Sequence, residues 1–199
     1  MKITFFLFLT IFITQVGYCQ NVKMIRGYNF KNDEINSLML FQNIEVANLS
    51  FESPEIKGKY YEIIVQEYRK GKMIKVKNLF SSEYIKIDST FMSFKFYSKI
   101  ENDKMVVFVE SPQMYSEKIT FNLEKGKGSK YALKDFQGID GFTNVSINEE
   151  FPILAIITPV KVTERKNSYC EVAQSGVKPE KYWEKFGIPH YFVITMKFK

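Results

Sequence analysis

The sequence predicts a mainly β fold, an antiparallel β-sandwich or open barrel carrying one or two short helices. Three observations lead there. Short stretches alternate apolar and polar residues with period two, turn residues interrupt them about every 8–12 residues, and no alternation of strands with long helices is present. Aromatic residues make up 16% of the 199 residues, enough to fill a large core. No internal repeat and no long linker divides the chain, so residues 20–199 read as a single domain.

Met1–Cys19 carries one charge, Lys2, then the apolar run Ile3–Ile13, then a polar break at Thr14-Gln15. This is the pattern of a secretory signal peptide. Gly17 and Cys19 occupy the small-residue positions of a cut between Cys19 and Gln20. The segment resembles the leaders of Bacteroidetes exported proteins, in which a small residue often precedes Gln-Asn, here Gln20-Asn21. That resemblance covers the leader alone and implies a bacterial periplasm, cell surface or secreted setting. The apolar run falls short of the roughly 18 residues needed to span a bilayer, so contact with the membrane is expected only through the cleaved leader. Lipidation at Cys19 is the rival, but the residue before it, Tyr18, is not small.

Past the leader, residues 20–31 read as extended, anchored by Met24, Tyr28 and Phe30. Asn32 is placed to cap a helix beginning Asp33-Glu34-Ile35, with Ile35, Leu38 and Met39 on one side and the two acids at its positive end. An extended Leu38–Phe41 is the alternative. Ile44–Phe51 alternates as a strand, and Ser53-Pro54 and Gly58 end it. Tyr60–Phe80 is the clearest hairpin, turning at Lys70-Gly71 or through the four residues Arg69–Lys72. Its apolar pattern sets Val65 opposite Val76 and Tyr61 opposite Phe80, with Tyr61, Ile63, Val65, Ile74, Val76 and Phe80 sharing a face.

Tyr84–Asp88 reads as a short strand. Thr90–Ser98 follows with Met92, Phe94 and Phe96 inward, and then a turn at Asn102-Asp103. Met105–Val109 is apolar on both sides, as for a strand covered on both faces. Lys118–Leu123 alternates, and Gly126 and Gly128 mark a turn. Residues 132–143 are irregular, with a helical turn near Leu133–Phe136 and a short strand at Val145–Ile147. Phe151–Val162 is a strand in which Pro159 forces a bulge or an edge, and Lys166–Gly176 is a connection. Pro179 opens a short helix through Phe186 with Gly187 past its end. Tyr191–Phe198 closes the chain with Phe192, Ile194, Met196 and Phe198 on one face.

The net charge is +6, with 28 basic and 22 acidic residues interspersed. No basic stripe interleaved with aromatics is present, so nucleic acid is not an expected partner. Beyond the leader, Cys170 is the single cysteine, no internal disulfide can form, and His190 is the single histidine. That pair is too small a ligand set to suggest a transition metal, and no cofactor motif is found. Cys170 with His190 is the one nucleophile–base pair to test. Glu149, Glu150, Asp135 and Asp140 are the acids to test for glycoside hydrolysis, which needs two carboxyl groups about 5–10 Å apart. Asp135 and Asp140, beside Gly138 and Gly141, also offer oxygens for calcium, although the EF-hand ligand run is absent. Asp88-Ser89-Thr90 resembles the short O-glycosylation motif of Bacteroidetes exported proteins, and Asn48-Leu49-Ser50 and Asn144-Val145-Ser146 match the N-glycosylation pattern.

Tyrosine and tryptophan exceed what the inward faces need. Exposed aromatics stack on sugars or anchor protein partners, and Tyr68, Tyr97 and Trp183 are the candidate binding residues. These features lead to a binding domain without catalysis, acting on an envelope protein or glycan. A hydrolase of envelope glycan or peptide is the alternative. So is a carrier of a small apolar ligand between the sheets.

Overall fold

In the computed structural model, residues 21–27, 32–163 and 166–199 are described; the leader, the Cys19–Gln20 junction, Tyr28 and Phe30 lie outside them. The chain runs through β1 (Asn21–Gly27), α1 (Asp33–Phe41), β2 (Ile44–Glu52), β3 (Tyr61–Arg69), β4 (Lys72–Ser81), β5 (Phe91–Glu101) and β6 (Lys104–Glu110). It continues through β7 (Ile119–Asn122), β8 (Ala132–Asp135), β9 (Phe142–Ser146), β10 (Phe151–Ile157), β11 (Val160–Thr163), β12 (Lys166–Ser168), α2 (Cys170–Ala173), α3 (Tyr182–Phe186) and β13 (His190–Phe198).

The strands form a six-stranded sheet, ordered β7-β6-β5-β2-β1-β9, and a five-stranded sheet, ordered β4-β3-β13-β10-β8, with β11 and β12 as a separate ribbon. All pairings are antiparallel. The expected sandwich is present, and no closed barrel forms. The two main sheets bury their inner faces against each other. Met92, Phe94 and Phe96 of β5, Leu49 and Phe51 of β2, and Phe192, Ile194, Met196 and Phe198 of β13 meet in one cluster. Phe51, Phe94, Phe151 and Phe198 pack with ring centroids 5.8–6.1 Å apart. The space between the sheets is thus filled by side chains, each contributing about 1.5–3 kcal/mol on burial.

The outer face of the five-stranded sheet carries a second cluster. Tyr68, Tyr191, Val193, Ala155 and Ile157 are covered by Val172 and Ala173 of α2 and by Tyr182 of α3. This third layer is why β10 and nearly all of β13 are buried on both sides. The cap of α1 is the expected one, Asn32 Oδ1 accepting from the amides of Glu34 and Ile35, but no residue of the helix is buried. The end of α3 is also as expected, Gly187 adopting φ +69° beyond Phe186.

Several expectations are corrected. The β3–β4 turn is the two-residue Lys70-Gly71 turn with φ +47° and +77°, but bulges shift its register, so Val65 lies opposite Lys77 and Gln66 opposite Val76. Ile74 is the extra residue of the first bulge, and Met73, Ile74 and Val76 are about half exposed. The shift is tolerated because β4 is an edge strand whose turn-proximal half runs beyond the core. No strand forms over Tyr84–Asp88; Ile87 is buried from a loop while Tyr84 is exposed. Residues 132–135 are a strand, β8, because the unpaired side of β10 accepts them from Leu154 to Ile157. β6 is covered on its inner face only, Val106 and Phe108 being half-buried. The connection Lys166–Gly176 holds β12 and α2.

Candidate functional site

β8 is the free edge of the five-stranded sheet, and it runs past the start of β2. Glu45 joins them: its Oε2 accepts from the Leu133 amide at 2.7 Å, and its Oε1 lies 3.8 Å from Lys134 Nζ. A carboxylate thus occupies a backbone donor that a further strand would otherwise take, one way of blunting an edge. Below this bridge a cleft opens at the corner where β2 begins and β5 ends. Its volume is about 520 Å³, within the range of small-molecule sites. Leu40, Ile44, Ile100, Ala132 and the ring of Tyr169 supply apolar wall, and Glu45, Lys134, Asn43, Asn102 and Ser98 supply polar atoms.

Local rules place these groups. Ser98 and Ile100 follow the inward parity of Phe94 and Phe96 on β5. Asn102 turns β5 into β6 at φ +55°, and Asn43 ends α1 at φ +54°, a backbone region that asparagine tolerates better than most residues. The turn at 128–130 is pressed onto Asn102: a Cβ on Gly128 would lie 2.0 Å from the Asn102 carbonyl oxygen. Asp103 fixes that loop by accepting from the amides of Gly126 and Gly128. Tyr169 is held by a bond from its hydroxyl to the Lys130 carbonyl, 2.9 Å, and Lys134 Nζ sits 5.2 Å from its ring centroid. Burial, with Glu45 nearby, raises the Tyr169 pKa. Ser98 is buried, and its hydroxyl has no hydrogen-bond partner among the described residues.

Behind the cleft runs a buried polar chain. Tyr131, which lines the cleft, bonds His190 Nδ1 at 2.8 Å, and His190 Nε2 meets Glu67 Oε1 at 3.1 Å. Glu67 is acceptor-only as a carboxylate, so Nε2 carries the proton and Nδ1 accepts from the tyrosine. Burial and then Arg69 hold the His190 pKa below its usual value, against the pull of Glu67. Burial and then Glu124 hold Tyr131 far above the usual tyrosine range. The chain is therefore a neutral tyrosine and a neutral imidazole at pH 7.

No family model, no curated protein and no solved structure matches this chain.

The structure separates most of the residues singled out in the sequence. Tyr68 is buried, stacked on Tyr191 at 5.1 Å and 7°, with its hydroxyl donating to Gln66 Oε1; it is a packing residue and not an exposed one. Trp183 is 40% exposed and backs the Lys70-Gly71 turn. Tyr97 is half-buried on the outer face of the six-stranded sheet, donating to Glu110 at 2.9 Å. Burial and that carboxylate push its pKa up to about 12. Its ring packs on Phe108, which packs on the exposed Tyr115.

Cys170 is exposed at the start of α2, whereas both ring nitrogens of His190 are taken by Tyr131 and Glu67. Nothing connects the two as nucleophile and base. Among the four acids, Glu150 accepts from Gln66 and from Thr195, Asp135 faces Arg26, and Glu149 and Asp140 are exposed. No group of three or more His, Cys, Asp or Glu able to hold a metal exists among the described residues. The cleft itself escaped the sequence reading. Glu45 on the apolar parity of β2 was its one visible signal, since a charge among Ala47, Leu49 and Phe51 needs a partner.

Proposed function

We propose that residues 20–199 form an exported binding domain that holds a small, largely apolar ligand in the corner cleft. The observation that carries this reading is the unpartnered Ser98 hydroxyl buried beside a cleft of about 520 Å³. A buried hydroxyl without a partner costs roughly 1–3 kcal/mol, and a ligand carbonyl or hydroxyl reaching it would recover that. The leader supports export, and no described helix is long and apolar enough to cross a membrane.

The test is a titration with N-phenyl-1-naphthylamine, a neutral apolar fluorophore. A single saturable rise in fluorescence is expected, weakened about tenfold or more by Ile100→Trp, which fills the cleft from a half-buried position. A rise that is absent, or equal in the variant, refutes the reading. One observation favours a second reading, docking of an envelope protein or glycan: the contiguous row Tyr97–Phe108–Tyr115 on the outer face of the six-stranded sheet, with Tyr115 exposed. Tyr115→Ala should then abolish crosslinking to a stoichiometric envelope partner while leaving fluorophore binding intact.

A further inference from the structure

The opposite margin of the sandwich lies between edge strands β4 and β7, and lysine crosses it. Lys77 Nζ donates to the Thr120 carbonyl at 3.0 Å and sits 4.8 Å from the Phe121 ring centroid. Beside it is a recess of about 120 Å³ whose lining includes Val65, Phe121 and Phe192 together with Glu67, Arg69, Lys75 and Lys77. Three cations therefore meet one carboxylate. That carboxylate is already engaged by Arg69 at 3.3 Å and by His190 at 3.1 Å. No acidic side chain among the described residues forms an ion pair with Lys75, even though Glu67 is its cross-strand neighbour.

Lysines on an edge strand commonly serve to discourage pairing with another chain, and that role needs only charge. Here the register shift of β4 brings Lys75 and Lys77 opposite Glu67 and Val65, and so to a recess with an aromatic floor. We infer that this recess binds a single phosphate-type anionic group through Lys75 and Lys77. Its volume suits one headgroup and is too small for a whole drug-sized ligand. Lysine serves as the point charge for such a group, while Arg69 is committed to Glu67. The site is separate from the corner cleft and does not depend on the ligand proposed there.

His190, the single histidine, lies directly behind Glu67 and acts as the reporter. Residues 20–199 labelled with ¹⁵N-histidine are titrated with inorganic phosphate against chloride at matched ionic strength, which removes general screening. A saturable shift of the imidazole resonances is expected. Loss of one charge-assisted contact should weaken it about tenfold in Lys75→Ala. The same loss is expected in Lys77→Met, which keeps the aliphatic stem over Phe121. Sedimentation with phosphatidylglycerol or phosphatidylcholine vesicles separates the sources: selective binding to the former, lost in Lys75→Ala, identifies a lipid-borne phosphate, and phosphate binding alone identifies a soluble one. The inference is overturned if neither probe binds, or if both lysine variants respond as the parent does.

Discussion

Replacing Tyr131 with phenylalanine removes the hydroxyl at the cleft end of the buried polar chain. The ring remains, so no large cavity forms. His190 Nδ1, however, loses its only described donor, 2.8 Å away, in a side chain that is 1% exposed. Leaving a buried acceptor unsatisfied costs about 1–3 kcal/mol. For a domain of this size, each kcal/mol lowers Tm by about 2–4 °C, so the variant should melt roughly 2–12 °C lower. The midpoint in urea should fall with an unchanged slope. A pH arm makes the test sharper. His190 titrates below 6.5 in the folded chain, so between those two values the unfolded chain binds more protons. Stability then rises with pH through that window and is lost as pH falls below about 6.5. The tyrosine donor favours neutral imidazole, so Tyr131→Phe should raise the His190 pKa and narrow the window. An unchanged urea midpoint, or a His190 resonance titrating at 6.5 or above in the parent chain, would refute the assigned tautomer and its role.

Other perturbations follow from the same geometry. Gly71→Ala combines φ +77° with a Cβ placed 2.7 Å from the Glu180 carbonyl oxygen, so it should destabilise by at least the roughly 1–2 kcal/mol of the left-handed conformation, read by urea melting. Gly128→Ala drives a Cβ to 2.0 Å from the Asn102 carbonyl oxygen; the loop must move, costing about 1–3 kcal/mol, and fluorophore binding in the corner cleft should weaken with it. Tyr68→Ala should cost about 3–5 kcal/mol, as for a buried aromatic, whereas Tyr115→Ala, 74% exposed, should leave the melting curve unchanged within about 0.5 kcal/mol. At alkaline pH the raised pKa values of Tyr131, Tyr182 and Tyr191 mean that the unfolded chain loses these protons first. Stability is intact below about 10 and declines above it, with the absorbance of these three tyrosinates appearing only on unfolding.

The strands were legible wherever one face met the core and the other met water. β5, β7 and the second half of β2 alternate in sequence as they do in burial, and the turns at Lys70-Gly71 and Asn102-Asp103 carry residues that accept positive φ. Legibility failed at the edges. Pairing Val65 with Val76 was the natural choice for a hairpin with a buried face, but the outer half of β4 has no sheet to bury it. β8 looks irregular because it needs only four residues, and its neighbour β10 decides its conformation. The burial of Tyr68 was hidden for a different reason. Tyr68 falls on the polar parity of β3, which suggested exposure, while α3 arrives from more than a hundred residues away to cover that face. Parity identifies the side of a sheet; what lies against that side is a tertiary fact.

Edge management ties the two clefts together. An unpaired strand edge invites another chain, and this fold answers at both ends of its five-stranded sheet. At β8, Glu45 takes the Leu133 amide and Lys134 is drawn toward it. At β4, two bulges and the lysines opposite Glu67 and Val65 disrupt the ladder. Each answer places polar side chains where a sandwich would otherwise close with apolar contacts, and each leaves a recess beside an aromatic floor or wall. The Tyr131–His190–Glu67 chain joins these margins through the interior, with Tyr131 lining one recess and Glu67 the other. Apolar side chains of similar shape could replace such a chain at little energetic cost, whereas removing one member leaves buried groups unpaired. The polar groups around both recesses therefore act together: they keep the edges of the sandwich from pairing, and they leave chemically distinct openings on its two sides, one mostly apolar and one cationic.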